Sequence, residues 1–121
     1  MAMIVVLDDD AETRGALVER LQRLFPKARV VAAGTDTALD AIDARDDVVL
    51  TALAVAERIG LGPRRPRLRV VALTPEMGPA TLMKAEAAGV YATLRAPATA
   101  EGLRAVLEPI VGDGTPPRAE D

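Results

Sequence analysis

The chain has no cysteine, no histidine and no tryptophan, and only one tyrosine and one phenylalanine among 121 residues. Without cysteine it has neither disulfides nor a thiol nucleophile, which leaves its redox compartment open. Without histidine it has no imidazole general base, no imidazole metal ligand and no phosphohistidine carrier. With so few aromatics, bases cannot be stacked on rings, and the net charge of -3 argues against general nucleic-acid binding. No apolar run reaches membrane-spanning length, and acids arrive by Asp8, too early for a signal peptide. A cytoplasmic setting is expected.

What is present is aliphatic: half of the residues are hydrophobic, so the core must be Val, Leu, Ile and Ala. The length suits one domain, here residues 1–111, followed by a linker-like tail at 112–121 expected to be disordered. Met3-Ile4-Val5-Val6-Leu7 runs straight into Asp8-Asp9-Asp10 with no polar alternation. That pattern reads as a strand buried on both faces, with three acids at the carboxyl end where open α/β sheets bind ligands.

A first helix is expected from near Ala11, capped by Asp10 or a neighbouring acid, with Leu17, Leu21 and Leu24 on its apolar face and Phe25-Pro26 as its stop. Arg29–Ala33, with its apolar run Val30-Val31-Ala32-Ala33, is a second short strand closed by Gly34, and Thr35 and Asp36 offer a cap to a helix through Ala38, Leu39, Ala41 and Ile42. Val48–Leu53 is a third strand, Ala54–Ile59 a short third helix, and Val70–Leu73 a fourth strand behind a loop carrying Arg64, Arg65, Arg67 and Arg69. In an acidic chain those arginines read as a solvated loop. Pro79–Ala88 is a fourth helix closed by Gly89, Val90–Leu94 a fifth strand, and Thr99–Ile110 a fifth helix. Alternating strands and helices imply a doubly wound α/β sandwich of flavodoxin-like order 2-1-3-4-5.

In this order and spacing, Ile4–Asp10, Asp47-Val48-Val49-Leu50, Val70–Thr74, Ala87-Ala88-Gly89 and Ala96-Pro97 resemble a response-regulator receiver (CheY-like) domain over about Met3–Val111. The resemblance implies an acid pair holding Mg²⁺, an acceptor Asp ending the third strand, a fourth-strand hydroxyl, and a Lys before a cis proline. It also implies a switch aromatic on the fifth strand. Asp8 and Asp9 match the acid pair, Thr74 the hydroxyl and Pro97 the proline. The acceptor position falls on Ala52, the lysine position on Ala96 and the switch aromatic on Thr93. The Met-Pro loop after the acceptor is missing and the segment to Thr74 is short, so the third helix is expected to be stunted.

These losses describe a degenerate receiver, or pseudo-receiver, acting in two-component signalling by phosphorylation-independent protein–protein interaction and not as an enzyme. Asp46 and Asp47 stand at the wrong end of the third strand to replace the acceptor. Two acids without a third carboxylate make a weak Mg²⁺ site, so no cofactor is expected. Arg95 is a candidate counterion for Asp8 or Asp9. Tyr91, Thr93 and Arg95 share the candidate switch face, where Tyr91 reads as a packed or rim residue and not as a stand-in for the switch aromatic. Expected partners are a signalling protein, a linked output domain or a second copy, met through helix 4, strand 5 and helix 5. Nucleic acid and membrane are not expected as direct partners. The alternative from another class is a Mg-dependent phosphatase or phosphotransferase built on Asp8-Asp9-Asp10. Its pattern is broken by the late Thr13, the helical Lys84 and the lack of an acidic pair after the fourth strand.

Overall fold

The fold was taken from a computed structural model, which describes residues 3–34, 48–59 and 69–111. The elements are β1 (Met3–Leu7), α1 (Ala11–Leu24), β2 (Arg29–Ala33), β3 (Val48–Ala52), α2 (Leu53–Ile59), β4 (Arg69–Thr74), α3 (Pro79–Ala87), β5 (Ala92–Arg95) and α4 (Ala100–Val111). The helix expected near residues 38–42, Asp46 and Asp47, the Arg64–Arg67 loop and the tail at 112–121 lie outside the described residues. Helices α2, α3 and α4 are therefore the third, fourth and fifth helices of the sequence reading.

All five strands are parallel, in the order β2-β1-β3-β4-β5. This is the expected flavodoxin-like winding. Ile4 to Leu7 on β1 and Val48 to Leu50 on β3 are almost wholly buried, because both strands are central and helices cover both faces. On one face Ile4, Val6, Leu50 and Val71 pack against Leu17, Leu21 and Leu24 of α1 and Leu103 and Leu107 of α4. On the other, Val5, Leu7, Val49 and Val70 meet Ala56 of α2, while Ala72 meets Leu53 and Ala85 of α2 and α3. Phe25, just after α1, is the one aromatic ring in this aliphatic core and is fully buried.

Helix ends follow the local chemistry. Asp10 caps α1, its carboxylate accepting the Glu12 N–H. The Phe25 N–H closes α1 on the Leu21 carbonyl. Thr99 precedes α4 and its hydroxyl accepts the Gly102 N–H at 3.0 Å. Gly89, at φ 73°, takes the left-handed turn after α3 that side chains disfavour. The Ala96–Pro97 peptide is cis, as the resemblance implies.

Several element ends differ by a residue or two from the sequence reading, and three of the differences have a clear cause. β5 starts at Ala92, not Val90, because Val90 and Tyr91 are still leaving the Gly89 turn, and it includes Arg95. Arg69 is the first residue of β4 and not part of the preceding loop, since it pairs with Val48. α2 begins at Leu53, directly after the last residue of β3, and has seven residues.

Candidate functional site

The positions named by the sequence converge at one edge. Asp8 and Asp9 follow β1, Ala52 ends β3, Thr74 ends β4, and Ala96-Pro97 follows β5. Because β1, β3, β4 and β5 are neighbours in a parallel sheet, these carboxyl ends form one continuous row. The Ala96 N–H donates to the Thr74 carbonyl at 2.8 Å, which joins the last two positions directly.

The three acids have separate tasks. Asp8 is half-buried, and its Oδ1 accepts the Asp10 N–H at 2.8 Å while its carbonyl accepts from the Arg14 guanidinium. Asp10 reaches forward into the first turn of α1 and accepts from the Thr13 hydroxyl. That bond holds the Asp10 carboxyl below its ordinary range against an opposing desolvation, assisted by the Glu12 and Thr13 N–H groups and the Arg14 charge. Asp9 pairs with Arg58 of α2, Nη2 to Oδ2 at 3.5 Å. Among the described residues, no three acids gather into a group that could hold a metal ion.

Arg95 is not the counterion. It is exposed at the end of β5, three strands from β1, a lateral separation of about 14 Å at ~4.8 Å per strand. Among the described residues it makes no ion pair with either acid. Arg58 takes that role, and the sequence held one signal for it. With the loop after position 52 missing, the helix starts at once and its last turn stays within reach of the acids.

Thr74 is buried, and its hydroxyl donates to the Glu76 carbonyl at 3.0 Å. Its proton is thus committed to the turn after β4. Thr93 is half-buried on β5 opposite Ala72. Tyr91 lies outside β5 on the rim, half exposed, with the Arg69 guanidinium 6.0 Å from its ring centre. Its N–H donates to the Val70 carbonyl at 2.8 Å.

Two further features escaped sequence reasoning. Ala52 and Thr74 open onto a cavity of about 220 Å³ walled by α2 and α3. Next to them Thr51 is buried with its hydroxyl unpartnered among the described residues.

No family model matches the chain. The DNA-binding transcriptional regulator NtrC of Azospirillum brasilense is 29% identical over 124 residues, covering 98% of this chain. The chain spans only 26% of that relative's length. The chemotaxis protein CheY4 of Vibrio cholerae superposes with a TM-score of 0.73 at 22% identity, covering 92% of this chain and 99% of that one. The signal receiver domain of a DNA-binding response regulator from Colwellia psychrerythraea also gives 0.73, at 20% identity over 92% and 98% of the two chains. The described residues thus share the fold of these CheY-like receiver domains, a five-stranded parallel sheet in the order 2-1-3-4-5. In sequence the chain is similar to the regulator NtrC over nearly its whole length.

Among the described residues no helix is long and apolar enough to cross a membrane.

Proposed function

We propose that this receiver is a degenerate one, which works in two-component signalling by docking to other proteins and transfers no phosphoryl group. The observation that carries this reading is Ala52. It ends β3 where the family resemblance expects the acceptor carboxylate, and a methyl group has no atom to phosphorylate. The surrounding contacts agree. Ala96 brings no ammonium, and the Thr74 hydroxyl donates to its own turn. Mg²⁺ asks for near-octahedral oxygen ligation, whereas here Asp9 faces Arg58, Asp8 is engaged by the Asp10 N–H, and position 52 supplies no oxygen. These donors do not fit the ion, so we assign no step to it.

Docking then rests on surface. Leu82 and Met83 of α3, Met77 before it and Tyr91 before β5 are large apolar side chains left 44–71% exposed. They adjoin the α3–β5–α4 face, which we assign to a signalling partner, a linked output domain or a second copy. Exposed apolar groups of this kind mark interaction surfaces when they gather, because their burial releases hydration water. Control would come from whatever binds one arrangement of that face more tightly than another.

Incubation of the intact chain with acetyl phosphate and Mg²⁺, followed by intact-mass measurement, tests the chemistry. No mass gain is expected, and an added phosphoryl group on any Asp would overturn the reading. Ala52→Asp alone should remain poorly labelled, since position 96 still lacks the amine. A pull-down with Leu82→Glu and Met83→Glu tests the surface: partner capture should fall, and unchanged capture would exclude α3.

A further inference from the structure

We propose that the cavity between α2 and α3 is a binding site for a small zwitterion of the free α-amino acid class. Its floor is Ala52, Leu73 and Thr74, at the carboxyl ends of β3 and β4. Glu57 lines it from α2, and Thr81 and Lys84, three residues apart and so on one helical face, line it from α3.

The polar groups divide by sign and by hydrogen-bond role. Lys84 can only donate, and Glu57 can only accept. Among the described residues neither forms an ion pair, although both face the same space. The Thr74 hydroxyl has placed its proton on the Glu76 carbonyl, so it turns only lone pairs toward a ligand. A phosphate or simple carboxylate would meet Glu57 and the Thr74 oxygen as two acceptors facing an anion. An ammonium group suits both, while a carboxylate on the same carbon suits Lys84 and the Thr81 hydroxyl. Ala52 and Leu73 supply an apolar floor for a short side chain. At about 220 Å³ the space falls below the ~300–1,000 Å³ of drug-sized sites and matches a small metabolite. The methyl group at 52 is part of the design, since a carboxylate there would crowd the floor and add a second acceptor. The ligand chemistry stands independently of which protein the domain docks to.

The test is ligand-observed NMR of the intact chain with each of the twenty free L-amino acids. For the best ligand, the probes are its analogue lacking the amine, its analogue lacking the carboxylate, and inorganic phosphate. We expect at least one amino acid to bind with Kd at or below about 1 mM, and each one-charged analogue to bind at least about tenfold more weakly. Glu57→Gln and Lys84→Gln, both exposed and remote from the core, should each weaken it by about tenfold, with circular dichroism unchanged. No binding by any amino acid at about 10 mM would overturn the proposal. So would equal affinity for the deaminated analogue or phosphate, or binding that neither variant alters.

Discussion

Arg58 and Asp9 are brought together from elements 49 residues apart, the last turn of α2 and the loop after β1, at 3.5 Å. The contact places a guanidinium beside an acid that the family resemblance would give to a metal ion. Both side chains stay well exposed, at 59% and 62%, so water and salt screen the pair. A double-mutant cycle with Arg58→Gln and Asp9→Asn should give a coupling of about 0.2–1 kcal/mol that fades at high salt. Coupling well above that range and insensitive to salt would mean a more enclosed contact than the one described.

Thr51→Val should stabilise the fold. The Thr51 hydroxyl is buried on the face it shares with Val49, between Leu7 and Ala72 on the neighbouring strands, and lacks a partner among the described residues. Valine keeps the shape and removes the stranded polar atom, for a gain of about 1 kcal/mol. Urea unfolding checks this, and a lower midpoint would show that the hydroxyl is satisfied in solution.

Gly15→Ala should also stabilise. Gly15 sits inside α1, and an added Cβ would meet nothing within 4 Å. Alanine restricts the unfolded chain and favours the helix by about 1 kcal/mol. Thermal unfolding should shift upward by a few degrees on that scale. A fall would reveal a contact made by this face of α1.

Asp10 predicts an acid-sensitive cap. Its folded carboxyl is held below the ordinary range by the Thr13 hydroxyl, so the unfolded chain takes up the proton first as pH falls. The stabilisation is complete above the ordinary Asp range near about pH 4 and is lost as pH drops through the lower folded value. Asp10→Ala should unfold more readily than the parent at neutral pH, and the difference should shrink in acid. A gap that persists in acid would separate the cap from the charge.

The parts of the fold legible in sequence were those set by single-segment patterns. The unbroken Met3–Leu7 run marked a central strand, the Leu17, Leu21 and Leu24 spacing marked the face of α1, and the acid cluster marked its cap, which the structure resolves to Asp10. The doubly wound class followed from alternation, and the strand order from alternation together with chain length. The site was legible only as a row of positions, because placement along strands is periodic while side-chain pairing is not. Arg58 was missed because its partner is set by how far α2 reaches, a property of the missing loop and not of nearby spacing. Arg95 was chosen on proximity in sequence to the proline, although two strands separate β5 from β1. The start of β5 was misplaced because Val90 and Tyr91 have strand-forming side chains but leave a left-handed turn at Gly89.

The junction of β3 and α2 has a mechanical meaning. Ala52 and Leu53 are consecutive, so strand passes into helix with no residue between them. A helix that starts on the last rung of a strand behaves as a crank: tilting it twists the strand end, since no slack absorbs the motion. Arg58 sits at the far end of that crank, tethered to the loop after β1. A ligand wedged between α2 and α3 would therefore be felt at the end of β3, through the direct Ala52–Leu53 junction.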